Sequence, residues 1–66
     1  MKRIELNKSI YNTGLVTQAI EAFDNLCKIK IVENGNYIEC EFSNCVYDED
    51  TTAKEFENYI IDLLNT

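Results

Sequence analysis

The chain has no histidine, no proline and only two glycines, and its six Lys and Arg are outnumbered by twelve Asp and Glu, giving a net charge of −6. Each shortage closes off a class of function. Without histidine there is no Cys-His or Ser-His pair to activate a nucleophile. Three cysteines, Cys27, Cys40 and Cys45, are present without a CxxC spacing, too few for a zinc site built from four close Cys or His ligands. A deficit of Lys and Arg argues against nucleic acid, whose affinity comes largely from phosphate neutralisation, and equally against anionic membrane surfaces. A basic partner, or solubility alone, fits the sign better. No apolar run approaches the roughly 20 residues of a membrane span. The opening residues MKRIELNKSIY lack the apolar core of a signal peptide, so the expectation is a cytoplasmic protein with reduced thiols. No glycine-rich phosphate cradle occurs, and no cofactor is expected.

What is present is ordinary globular material. Hydrophobic residues make up 45% and charged residues 27% of 66 positions, which is room for one domain. A chain this short buries about 60% of its unfolded surface, so a partner or a second copy of itself would supply missing burial. There are no repeats, linkers or low-complexity segments.

Residues 3–7 alternate, with Arg3 and Glu5 outward and Ile4 and Leu6 inward, as in a half-buried strand. Asn12 or Thr13 can cap a helix in which Leu15, Val16, Ala19, Ile20, Phe23 and Leu26 share one face. Gly14 weakens its first turn. Asn34-Gly35 is a strong signal for a type I′ hairpin turn. With those two as the loop, Val32 faces Tyr37, Ile31 faces Ile38, Lys30 faces Glu39, Ile29 faces Cys40 and Lys28 faces Glu41. One face of the ribbon then holds Cys27, Ile29, Ile31, Ile38, Cys40 and Phe42, and the other pairs lysines with glutamates. Cys27 and Cys40 read as buried small hydrophobes, and Cys45 as an incidental loop thiol. After the acidic run Asp48-Glu49-Asp50, Thr52 with Glu55 fits a capping box. A helix follows with Phe56, Tyr59, Ile60, Leu63 and Leu64 on its apolar stripe. Asp48, Asp50 and Thr52 faintly suggest a calcium loop, but the Gly and terminal Glu of an EF-hand are missing; electrostatics at the helix start explains the run better. The pairs Glu39/Glu41 and Glu55/Glu57 fall on solvent faces, where nothing would perturb a catalytic carboxylate.

The pattern predicts an α+β fold of order β-α-β-β-α, a two-layer sandwich. A three-stranded antiparallel sheet of spatial order 1-3-2 carries two helices on one face. The other face would be uncovered, with Lys28, Lys30, Val32, Tyr37, Glu39 and Glu41 as a candidate interaction surface. Tyr37 beside Val32 reads either as an interface tyrosine or as an ordinary exposed one. The second strand, at the sheet edge, reads either as an acceptor for an added strand or as an edge protected by its lysines.

The residue order also carries a resemblance. Ser9-Ile10-Tyr11 precedes a helix holding Ala19-Ile20-Glu21-Ala22-Phe23, which runs into Asp24-Asn25-Leu26-Cys27 and the β-run Lys28-Ile29-Lys30-Ile31. A hairpin follows, then a helix with Glu55-Phe56-Glu57-Asn58-Tyr59-Ile60-Ile61-Asp62. This resembles HxsD-like proteins, the small component of His-Xaa-Ser systems and related peptide-maturation gene clusters. In that family a Tyr precedes an Ala-rich helix ending near an aromatic-acidic pair, a Cys-containing strand follows, and the last helix carries a Phe-x-Asn/Gln-x-Leu-Leu-Asp-like stretch. The likeness spans most of the chain, but Leu63-Leu64-Asn65-Thr66 stand where the family continues into a Leu-Arg-Glu-type segment. The resemblance implies a non-catalytic accessory protein that binds a precursor peptide or its radical SAM maturase, with no catalytic residues to carry over. The competing expectation is an acidic interaction or inhibitor module that mimics nucleic-acid charge.

Overall fold

A computed structural model describes residues 2–66 as β1 (Lys2–Asn7), α1 (Thr13–Ala22), β2 (Lys28–Asn34), β3 (Tyr37–Ser43) and α2 (Glu49–Leu64). The strands form one antiparallel sheet of order β1-β3-β2, an α+β arrangement with the expected element order. The Cα trace spans 30 × 27 × 16 Å. The short dimension has room for a sheet and one helical layer, because packed layers lie about 10 Å apart.

The core forms where the two apolar helix stripes meet the helix side of the sheet. Leu6, Ile38, Cys40 and Phe42 from the strands meet Val16, Ala19 and Phe23 from α1 and its end, and Ala53, Phe56 and Ile60 from α2. Phe56 is the hub. Its ring meets Phe42 edge-on at 5.2 Å and Phe23 at 5.5 Å, and Phe23 in turn meets Tyr59 at 5.7 Å, the geometry that aromatic quadrupoles favour. Tyr59 itself is 37% exposed and Leu64 40%. The buried stripe of α2 is therefore Thr52, Ala53, Phe56 and Ile60, shifted toward the N-terminus from the stripe read in the sequence.

That shift follows from where α2 begins. The cap is Asp48, not a Thr52–Glu55 box. The Asp48 carboxylate accepts from the Thr51 N–H at 3.0 Å and from the Thr51 hydroxyl at 3.1 Å, and Glu49 and Asp50 sit in the first turn at the positive end of the helix dipole. Starting there turns Thr52 inward, and its hydroxyl donates to the Asp48 carbonyl at 2.9 Å, so the one buried polar side chain among the described residues is satisfied. At α1 the Asn12 side chain caps as expected, accepting from the Gly14 N–H at 2.7 Å.

The hairpin differs from the expected one by a two-residue slip. Asn34 pairs with Tyr37, and Gly35-Asn36 forms the loop, with Gly35 at φ +61° and Asn36 outside the left-handed region. Glycine first at positive φ suits a type II′ turn rather than type I′. Lys30 therefore lies opposite Glu41, Val32 opposite Glu39, Ile29 opposite Phe42 and Lys28 opposite Ser43. The slip is even, so every side chain keeps its face. What inverts is the hydrogen-bond alternation, and β1 explains why. The Lys8 N–H donates to the Asn36 carbonyl at 2.8 Å, continuing the β1 register of Leu6 with Ile38 and Ile4 with Cys40. Antiparallel residues direct both polar groups to one side, alternating along the strand. The even residues of β3 thus serve β1, and the odd residues 37, 39, 41 and 43 serve β2.

Cys27 and Cys45 are joined by a disulfide, Cα to Cα 4.0 Å, which corrects the reading of both as reduced thiols. The hairpin register brings them together: with Lys28 opposite Ser43, the residue before β2 lies alongside the loop that leaves β3. The Val46 N–H donates to the Leu26 carbonyl at 2.8 Å in the same place, and Asn44 takes a left-handed φ of 51° to make the bend, a conformation Asn tolerates. Cys40 is the free cysteine and is fully buried.

Candidate functional site

The six residues singled out on the sheet, Lys28, Lys30, Val32, Tyr37, Glu39 and Glu41, lie on one face, opposite the side that carries Ile38, Cys40 and Phe42. Strand alternation alone produces this. β3 runs down the middle with Tyr37, Glu39 and Glu41, and β2 flanks it with Lys28, Lys30 and Val32. On the other flank β1 adds Arg3, opposite Glu41, and Glu5, opposite Glu39.

The charges pair differently from the expectation of Lys28 with Glu41 and Lys30 with Glu39. Arg3 takes both carboxylates: its Nε lies 3.2 Å from Glu39 Oε1 and its Nη2 donates to Glu41 Oε2 at 3.1 Å. The planar guanidinium spans two acceptors that stand two residues apart on the central strand, and it offsets the like charges of Glu5 and Glu39 placed directly opposite. Covered in this way, the Glu39 and Glu41 side chains are only 20% and 18% exposed. They are half-buried partners of Arg3 and not free solvent groups. Among the described residues no carboxylate lies within ion-pair distance of Lys28 or Lys30. Arg3 was legible as an outward residue of β1, and the expected order 1-3-2 set β1 beside β3; its bridging role needed the register that places Arg3 opposite Glu41.

Arg3, Lys28 and Lys30 balance Glu5, Glu39 and Glu41, so this face is neutral and the net charge of −6 resides elsewhere on the chain. At its hairpin end Val32 is 40% and Tyr37 46% exposed, an apolar corner beside the charged centre.

The acidic run is structural in the fold. Asp48 caps α2 and Asp50 pairs with Lys2 Nζ at 3.0 Å. The hydrogen bonds from Thr51, backbone first and then hydroxyl, hold the Asp48 carboxyl below its usual value of 3.8. Burial pushes the Cys40 thiol up from 9.0 to about 11, which makes it unreactive at neutral pH. Among the described residues no group of three His, Cys, Asp or Glu side chains is placed to hold a metal ion, and no helix is long and apolar enough to cross a membrane.

One feature escaped the sequence reading. Val46 and Tyr47, each 66% exposed, stand beside the disulfide. Leu26, Tyr47, Asp48, Thr51, Thr52 and Glu55 line a shallow cleft at the start of α2. The adjacent apolar pair in an otherwise polar loop was the available signal. No protein-family model, curated protein sequence or solved structure matches the chain.

Proposed function

We propose that this protein is a non-catalytic accessory protein that binds a peptide or protein partner through the uncovered side of its sheet, and that the partner is a precursor peptide or the radical SAM enzyme that matures it. The observation that carries the binding reading is the neutral face itself. Both helices occupy the opposite side, and the face combines exposed Val32 and Tyr37 at its hairpin end with an ion-paired Arg3–Glu39–Glu41 centre. Exposed tyrosine beside satisfied charges is the composition of an interface, where aromatic residues supply contact area and paired charges supply register. The resemblance of residues 4–62 to HxsD-like proteins supports the choice of partner.

The reading places the protein in the cytoplasm. The Cys27–Cys45 bond argues the other way, because thiols are kept reduced there, so binding is to be measured with and without reductant. The test is co-purification of the tagged chain with the radical SAM enzyme and the precursor peptide encoded beside its gene. Association with either, weakened by Tyr37→Ser together with Val32→Ser, supports the reading. No association with either, in both redox states, overturns it. Salt-sensitive binding to a basic nucleic-acid-binding protein instead would favour the charge-mimic alternative.

A further inference from the structure

The uncovered face and the sheet edge are different surfaces, and the edge at β2 has a chemistry of its own. The even residues of β2, Lys28, Lys30, Val32 and Asn34, pair toward the odd residues of β3. The backbone N–H and C=O groups of Ile29, Ile31 and Glu33 therefore point away from the sheet. Among the described residues no backbone group bonds to them. The side chains around this edge are sorted by face. Ile29 and Ile31, on the helix side, are only half-buried, since α2 lies across β1 and β3. Lys28 and Lys30, on the uncovered side, have no acidic partner among the described residues, Arg3 having taken Glu39 and Glu41.

We infer that the β2 edge accepts an extended segment of a partner polypeptide in which acidic and apolar residues alternate. This rests on the binding reading above and specifies its partner. A strand laid against β2 exchanges backbone hydrogen bonds with Ile29, Ile31 and Glu33. Its alternate side chains fall on the two faces. Those on the helix side meet Ile29 and Ile31 and must be apolar to complete their burial. Those on the other side meet Lys28 and Lys30 and are acidic. β3 already shows the fit from the inner side of β2, presenting Ile38, Cys40 and Phe42 to the core and Glu39 and Glu41 to the lysine side. Charge also selects against a second copy of the chain in this position. Two β2 strands side by side would bring two pairs of lysines onto one face with no acid between them, and like charges across neighbouring strands are destabilising. The opposite edge lacks this signature, because the Arg3 charge on β1 is already neutralised.

The experiment titrates the isotopically labelled full chain, followed by NMR, with an end-capped peptide alternating valine and glutamate. The same peptide with lysine in place of glutamate is the control. The expected result is binding of the glutamate peptide, with slowed amide exchange at Ile29, Ile31 and Glu33, and weaker binding of the lysine peptide. Two exposed ion pairs at up to about 1 kcal/mol each correspond to a preference of up to about 30-fold. Lys28→Glu with Lys30→Glu should reverse the preference. Both lysines are exposed, and a milder Lys28→Gln, Lys30→Gln pair, which should abolish the preference without reversing it, covers the case in which the charge reversal unfolds the chain. Equal binding of the two peptides, no binding of either, or protection confined to β1 overturns the edge assignment. A partner captured in co-purification but lost on Tyr37→Ser, with the β2 edge unprotected, would sink the edge assignment while leaving the binding reading in place.

Discussion

Removing the Cys27–Cys45 disulfide tests how much of this small fold its core can hold alone. The bond closes a loop of 18 residues in sequence separation. In the chain-entropy model such a loop restrains the unfolded state by about 11 cal/mol/K, or about 3 kcal/mol at 25 °C. A domain of 66 residues has a total stability of about 3–10 kcal/mol, so the bond supplies a third of the total or more. The assay is urea unfolding by circular dichroism of the oxidised chain, the reduced chain, and the Cys27→Ala, Cys45→Ala double variant. With a urea slope of about 1 kcal/mol/M, reduction should lower the midpoint by about 3 M. The double variant should match the reduced chain and be indifferent to reductant. The slope should rise on reduction, because the released chain exposes more surface when unfolded. A midpoint that moves by less than about 0.5 M would mean that the bond does not restrain the unfolded chain, and an intact mass unchanged by reduction would show that the bond does not form.

Gly35→Ala forces a Cβ into a left-handed φ and should cost about 1–2 kcal/mol. Asn34→Ala should cost far less in the same denaturation assay, because Asn34 belongs to the strand and not to the loop. Phe56→Ala removes the ring that joins Phe42 to Phe23. It should cost about 3–5 kcal/mol, comparable to the whole stability, so near-ultraviolet dichroism at 25 °C should show a largely unfolded chain. The buried Cys40 thiol sets an alkaline limit. Its folded pKa is raised from 9.0 to about 11, so the unfolded chain gives up this proton first. Stability is then fully present below pH 9 and is lost as pH climbs toward 11, by about 3 kcal/mol at about 1.4 kcal/mol per pH unit. Cys40→Ala should flatten that dependence in a pH series of thermal melts.

The division of side chains between the two sheet faces was legible because it depends only on parity. Lysines alternating with isoleucines in β2, and glutamates alternating with Ile38, Cys40 and Phe42 in β3, admit one assignment of faces, and any even slip preserves it. The register was not legible. The Asn34-Gly35 preference is local, whereas the register is set by β1 on the far side of β3, through Lys8 and Asn36. The charge pairing was misread for the same reason: Arg3 competes for Glu39 and Glu41 from a strand remote in sequence. The start of α2 offered two caps, Asp48 before Thr51 and Thr52 before Glu55. The earlier one wins because it turns Thr52 and Ala53 into the core. Three cysteines without a spacing rule gave no pairing, and only the corrected register brings Cys27 and Cys45 together.

Backbone NMR of the isolated chain shows whether β2 presents the backbone of Ile29, Ile31 and Glu33 outward at a free edge. Close Hα–Hα contacts should link Ile29 with Phe42 and Ile31 with Cys40, the non-hydrogen-bonded pairs of the ladder. The amides of Lys30 and Val32 should exchange slowly and those of Ile29 and Ile31 fast. Close Hα–Hα contacts of Lys30 with Glu39 and of Val32 with Tyr37, together with slow exchange at Ile29 and Ile31, would restore the Asn34-Gly35 turn, reverse the edge and contradict the account.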